Sequence, residues 1–263
     1  MRKTVKYKGV DVVYSHFGSG EVIVLIHGFL EERGMWSHFA AELSGTNRVV
    51  CVDLLGQGES SCLGYIHSMR VQAEAVAAVL KQEGINEFQV VGHSMGGYVA
   101  LELAKINPDK VRGLVLFHST ALPDSEERKL DRERVIKLAQ RNKGVYIKAV
   151  IPNLFADSLQ GKFSEKISEL ARTANEFPTQ GIIANIKGMK DRPSYADLLS
   201  KTQFPKLFIH GELDNVISTK DILFQVQSAT NTDVALLPEI GHMGHIEAPE
   251  KCLNIIKSFC VNN

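Results

Sequence analysis

The apolar run Phe88-Gln89-Val90-Val91 passes without a spacer into Gly92-His93-Ser94-Met95-Gly96-Gly97, and a helical apolar pattern then continues to Asn107, closed by Pro108. This reads as a buried strand turning sharply into a helix with a serine at the apex. The turn needs glycine on both sides of the apex, because the strand and helix backbones pack closely there. It also sets the positive end of the helix dipole and free N–H groups beside the serine oxygen, where negative charge develops in acyl transfer. Ser94 is therefore a candidate nucleophile, and the corner requires a layered strand–helix fold around it.

The rest of the chain supplies that rhythm. Residues 5–13 predict a hairpin bent at Gly9, and residues 21–27, 48–53, 88–93 and 111–118 are apolar runs typical of strands covered on both faces. Residues 35–43 and 69–83 read as helices, the second ended by Gly84. Between 119 and 204 there is no good buried strand. Helical stretches at 125–142 and 164–175 alternate there with aromatic-containing links, and Asp124 with Glu127 resembles a helix N-terminal capping pair. Strand character resumes at 205–210 and 233–237, with helices near 220–228 and from Ala248, where Pro249 sits in the first turn. The expected fold is α/β, a mostly parallel twisted sheet with helices on both faces. Its core is residues 1–118 and 205–263, and 119–204 form an inserted helical cap over the sheet edge where such folds bind ligands.

The 30 basic and 30 acidic residues cancel, so charge offers no argument for nucleic acid or an anionic membrane as partner. Met1-Arg2-Lys3 is basic but no apolar core follows it, and Val22 to Ile26 is too short for a signal core or a membrane span, so a cytoplasmic location is expected. Cys51, Cys62, Cys252 and Cys260 show no C-x-x-C pair; Cys51 lies in a strand pattern and Cys252 on an apolar helical stripe, both as core thiols.

A nucleophilic serine needs a base, and the base an orienting acid. Two strand ends downstream offer them: His210-Gly211-Glu212-Leu213-Asp214 and Gly241-His242. The order Ser94, Asp214, His242 is the one a nucleophile elbow demands.

With these motifs in view, the chain resembles the α/β-hydrolase superfamily. His27-Gly28-Phe29 is similar to its oxyanion loop, Asp53 to Ser60 to its D-x-x-G-x-G-x-S loop, His210 to Asp214 to its acid loop, and Gly241 to Pro249 to its G-H-x-x-x-x-E-x-P histidine segment. The resemblance implies Ser94 as nucleophile, His242 as general base and acid, and Asp214 as the residue orienting the imidazole. It also implies an oxyanion hole of the Phe29 and Met95 backbone N–H groups. His245 is the rival base, and Glu212 and Asp221 are rival acids. Some relatives carry the acid after the strand that follows the elbow helix, but His118-Ser119-Thr120 there holds no carboxylate. His27 and His93 are expected to hold loops in shape, and Asp53 its own glycine-rich turn. With serine rather than aspartate at 94, the chain departs from the superfamily's haloalkane dehalogenases and epoxide hydrolases.

The function expected is attack on an ester-like carbonyl of a small-molecule substrate, a carboxylesterase for small or medium apolar esters, with neither cofactor nor metal. Alternatives on the same triad are carbon–carbon bond hydrolysis, lactone opening or a lyase of the menaquinone-synthesis kind. A non-enzymatic ligand receptor is the third class. Trp36 and Phe155 are the aromatics expected along the substrate, with core packing the other reading for each. Tyr146, Ile147, Leu154, Phe163, Phe177, Ile182 and Ile183 are further pocket candidates. An acidic substrate would call for a pocket arginine, with Arg33, Arg172 and Arg192 to consider, each also readable as a surface residue.

Overall fold

The computed structural model describes residues 1–262. Its strands are β1 (Arg2–Tyr7), β2 (Val10–Phe17), β3 (Val22–Ile26), β4 (Arg48–Val52), β5 (Phe88–His93), β6 (Val111–Phe117), β7 (Lys206–Gly211) and β8 (Thr232–Leu237). Its helices are α1 (Ser37–Leu43), α2 (Met69–Gln82), α3 (Met95–Ile106), α4 (Glu126–Arg141), α5 (Lys143–Val150), α6 (Ser164–Glu176), α7 (Thr179–Lys190), α8 (Ala196–Lys201), α9 (Thr219–Val226), α10 (Gly244–Glu247) and α11 (Pro249–Asn262). The strands form one sheet in the order β1-β2-β4-β3-β5-β6-β7-β8; β1 and β2 run antiparallel to their neighbours and every pairing from β4 to β8 is parallel. The hairpin turns at Lys8 and Gly9, both at positive φ.

Side-chain alternation explains why the central strands read as unbroken apolar runs. Val24, Ile26, Val50, Val52, Val90, Leu114 and Leu116 pack on one face with Val76 and Val79 of α2 and Val99 and Leu103 of α3. Ile23, Leu25, Val49, Cys51, Val91, Val115 and Phe117 fill the other face with Phe39 and Leu43 of α1 and Leu253, Ile256 and Phe259 of α11. With both faces covered, each residue of such a strand is core. Cys51 and Cys252 are buried among these residues.

Strand order reverses between β3 and β5: the chain moves outward from β3 to β4, then returns to lay β5 on β3's other side. Loops leaving the two strands diverge there and open a crevice at their C-terminal ends. His27, Ser94, His118 and the segment 211–214 all leave the sheet at this edge.

Between β6 and β7 the described chain forms α4 to α8 and no strand, with α4 packed against α5 and α7. The N-cap of α4 is Ser125, whose Oγ accepts from the Arg128 N–H at 3.2 Å. The Asp124–Glu127 capping pair does not form. Asp124 is instead wholly buried and accepts from Arg132 at 2.8 Å and Arg192 at 2.6 Å, tying α4 to the end of α7. Replacing a buried carboxylate that holds two guanidinium groups leaves uncompensated charge. Asp124→Ala is expected to cost about 3–5 kcal/mol of stability, read as a lowered midpoint in urea. No helix among the described residues is long and apolar enough to cross a membrane.

Candidate active site

Ser94 stands between β5 and α3 with φ 50° and ψ −116°, outside the basins a serine ordinarily occupies. Its N–H donates to Phe117 O at 3.0 Å, and the Ser119 hydroxyl donates to its carbonyl at 2.7 Å, so neighbouring β6 and its exit loop hold the strained residue. A Cβ on Gly92 would run into the Gly96 carbonyl, and one on Gly96 into the carbonyls of Ile26 and His27. That close approach is why both corner positions are glycine.

His242 Nε2 lies 2.8 Å from Ser94 Oγ, and His242 Nδ1 lies 2.7 Å from Asp214 Oδ2. Asp214 Oδ1 also accepts the N–H groups of Val216 and Ile217 at 2.7 and 3.0 Å. Burial alone would raise the pKa of this carboxyl, but the attraction of His242 and its hydrogen bond outweigh burial and hold it well below the usual carboxylate range. A charged carboxylate can only accept, so His242 Nδ1 is the donor and a neutral ring turns its Nε2 lone pair to Ser94. Glu247 shapes the histidine loop by accepting from Gly241 and Met243 N–H at 2.8 and 3.0 Å, and His242 N–H donates to Leu154 O at 2.8 Å. The N–H groups of Phe29 and Met95 have no acceptor among the described residues, whereas Gly28 donates to Glu31 and Leu30 to Gln57.

The rival residues sit elsewhere. Glu212 and Asp221 are exposed. His27 faces Gly28 O with Nδ1 and accepts the Leu54 N–H on Nε2, holding two loops together. Asp53 accepts from Glu59 N–H and pairs with Arg33, which closes the glycine-rich turn. His118 accepts the Gly211 N–H on Nδ1, and burial drops its pKa to about 3, so it is a neutral neighbour of Asp214 at 3.7 Å.

Behind the serine lies a cluster that the sequence did not disclose. Glu31 Oε2 lies 2.7 Å from His93 Nδ1, and His93 Nε2 lies 2.9 Å from the carbonyl of His242. Both ring nitrogens face acceptors, so His93 is an imidazolium. Burial opposes its charge, but Glu31 raises its pKa; Glu31 is in turn brought down to about 2, chiefly by His93 against the opposing effect of burial. Burial leaves His245, 3.5 Å from the other Glu31 oxygen, neutral with a pKa near 3. This ion pair links the loop after β3, the serine corner and the histidine loop.

Breaking it by Glu31→Gln is expected to cost about 3–5 kcal/mol. Relative to an ordinary 4.5, the lowered Glu31 contributes stability fully above that value, fading as pH falls toward 2; the raised His93 contributes fully below 6.5, fading as pH rises through its shifted value. The stability gap between wild type and variant is therefore widest between those two ordinary values, and urea titrations across pH measure it.

Glu31, His93 and His245, and likewise His118, His210 and Asp214, bring ligand-type atoms within 4.8 Å of one another. Glu31 and Asp214 are already engaged by His93 and His242, and a doubly protonated His93 has no lone pair for a cation.

A cavity of about 200 Å³ opens over Ser94 and His242, lined also by Phe29, Tyr98, Arg128, Arg132, Tyr146, Leu154 and Met189. Of the pocket residues expected from sequence it receives Tyr146 and Leu154. Trp36 is placed otherwise: it ends the short turn Arg33–Trp36 leading into α1, on the face away from the cavity, packed on Phe39 and Phe117 at ring separations of 5.6 and 6.0 Å. Phe155 is also fully buried, stacked on Phe163 at 5.9 Å, and it is the neighbouring Leu154 that reaches the cavity. Among the arginines considered, Arg172 is exposed, while Arg33 is committed to Asp53 and Glu59 and Arg192 is buried on Asp124 rather than at the surface. The cavity arginines are Arg128 and Arg132 of α4.

Residues 21–249 match the family model for the alpha/beta hydrolase fold. A thermophilic esterase from Thermogutta terrifontis, solved with malate bound, superposes with a TM-score of 0.93 at 28% identity, over 100% of this chain and 98% of that one. Over 236 residues the chain is 29% identical to the dihydrolipoyllysine-residue acetyltransferase component of the acetoin cleaving system of Pseudomonas putida, covering 88% of this chain and 61% of that protein's length. It is 25% identical over 257 residues to the pimeloyl-[acyl-carrier protein] methyl ester esterase of Aeromonas hydrophila, covering 95% of this chain and 99% of the relative. The chain belongs to the alpha/beta hydrolase fold family.

Proposed function

We propose that this protein is a serine hydrolase that cleaves an ester-like carbonyl through an acyl-enzyme on Ser94. The observation that carries the reading is the unbroken run Ser94 Oγ–His242 Nε2–Asp214 at 2.8 and 2.7 Å beneath a lined cavity. Ser94 Oγ attacks the carbonyl carbon while its proton passes to His242 Nε2, and Asp214 stabilises the imidazolium. The tetrahedral oxyanion is held by the N–H groups of Phe29 and Met95, each of the kind whose loss typically costs about 2.7–4 kcal/mol of transition-state stabilisation. Collapse expels the leaving alkoxide, which takes the proton from His242. Water then attacks the acyl-serine, gives its proton to His242, and the serine oxygen recovers it as the acid departs. Residues 119–204 serve as the cap that shapes the cavity for the substrate.

The esterase named among the solved relatives and the methyl ester esterase of Aeromonas support an ester as substrate class. A fluorophosphonate probe tests the nucleophile directly. The expected result is a single adduct mapped to Ser94 by peptide mass, together with turnover of 4-nitrophenyl esters. Absence of any adduct would favour a ligand receptor on this fold; an adduct without ester turnover would favour carbon–carbon bond cleavage or lyase chemistry on the same residues.

A further inference from the structure

Three guanidinium groups converge on one carboxylate, and two of them, Arg128 and Arg132, reach the cavity wall. Arg132 and Arg192 hydrogen-bond the buried Asp124, and Arg128 Nε stands 3.8 Å from it, which leaves two positive charges in excess. Arg192 is internally satisfied: it donates to the carbonyls of Leu122 and Met189 and lies over the Tyr98 ring at 4.1 Å. Arg132 spends only its Nε on the protein, and among the described residues no acceptor faces the guanidinium of Arg128 at hydrogen-bonding distance.

These two arginines are four residues apart on α4, so they share one helix face, and that face lines the cavity containing Ser94 and His242. Asp124 offsets part of their charge, and no other carboxylate among the described residues pairs with either guanidinium. Glu31, the carboxylate along this cavity, is bound to His93 and the Gly28 N–H. Asp131 and Glu127 line an adjoining outer cleft together with Arg128 and Arg132, with Asp131 accepting from Arg134 at 2.6 Å, and Asp221 borders a neighbouring groove that Arg128 also lines. With Asp124 shared among three guanidinium groups, Arg128 and Arg132 still oppose each other one helical turn apart, and a second anion between them reduces that opposition. A guanidinium fork matches a carboxylate in two parallel hydrogen bonds, most strongly where water is partly excluded.

We propose that Arg128 and Arg132 form a subsite for a carboxylate of the substrate, so that Ser94 acts on esters whose molecule also carries an acid group, such as half-esters of short dicarboxylic acids. The chemistry rests on the acyl-enzyme reading above; the anion binding does not.

Two measurements separate the claims. The first compares kcat/KM for mono-4-nitrophenyl glutarate and its neutral counterpart, methyl 4-nitrophenyl glutarate. Wild type is expected to favour the acid at least tenfold at low salt. That preference should fall to within twofold in Arg128→Leu and partly return in Arg128→Lys. The second titrates Ser94→Ala calorimetrically with monomethyl glutarate, dimethyl glutarate and inorganic phosphate, expecting the half-acid to bind at least tenfold tighter than the diester. Preference for the neutral ester, or a preference for the acid that survives in Arg128→Leu, overturns the subsite. Tighter binding of phosphate than of the half-acid overturns the carboxylate assignment. Binding of the half-acid by Ser94→Ala in a protein whose wild type gives no fluorophosphonate adduct sinks the acyl-enzyme reading and leaves the subsite standing.

Discussion

Ser94→Ala is expected to lower kcat on a 4-nitrophenyl ester by about 10⁴–10⁶-fold while leaving the melting temperature nearly unchanged. The size follows from the loss of the covalent route: with no oxygen to attack, only oriented donors and binding remain, and these give a small residual rate over water. The fold should be indifferent, because the Ser94 side chain makes its hydrogen bond only with His242. The strained backbone is held through its own N–H and carbonyl by Phe117 and Ser119, and these bonds survive the substitution. Steady-state kinetics on purified variant, with the melting curve alongside, measure both halves. A variant retaining more than about a thousandth of wild-type kcat would remove Ser94 from the role of nucleophile, since removal of a triad serine costs far more.

Asp214→Asn should cost about 10⁴-fold in kcat for a different reason. Asn keeps an oxygen for the Val216 and Ile217 N–H groups, which fixes the amide's orientation and turns its NH₂ toward His242 Nδ1. A donor facing Nδ1 forces the ring into the other tautomer, with its hydrogen on Nε2 pointing at Ser94 Oγ. The base is then no base. Asp214→Ala would remove the loop acceptors as well, so it should lose stability together with activity, and comparing the two separates the carboxylate's roles. The carboxyl is lowered from an ordinary 3.8, so it contributes stability in full above that value and loses it as pH falls further. The stability gap between wild type and Asp214→Asn should therefore be constant near neutrality and close only in strong acid. Near wild-type kcat in the Asn variant would mean that His242 is oriented by something other than Asp214.

Elements were legible where the signal was local. β3 to β7 are apolar at successive positions because helices cover both faces of the sheet, and this periodicity stands in the sequence itself. The α4 cap shows the limit of local signals. Asp124 followed by Glu127 satisfies a capping pattern, but Ser125 caps the helix because Asp124 is drawn to Arg192, 68 residues away. Trp36 lies seven residues beyond Phe29 in sequence, yet a short turn after the loop carries it onto the face packed by α1. Proximity along the chain is a poor guide to which side of a sheet a side chain meets.

The strand ends carrying Ser94, Asp214 and His242 could be found from sequence, because parallel strands deliver their C-terminal ends to one edge of a sheet, while the choice of Asp214 over Glu212 and of His242 over His245 came from the resemblance to the family. Periodicity and strand-end motifs thus determined the architecture, and with the family resemblance they indicated the residues brought together there. Tertiary structure alone decided the charge of the site. A helix such as α4, polar along most of its length, does not announce which arginines turn inward, since that depends on how α5 and α7 pack against it. The same holds for Glu31 and His93, 62 residues apart, whose pairing exists only once β3 and β5 lie side by side. Burial and opposite charge make such contacts strong, and neither is a property of any short stretch of chain.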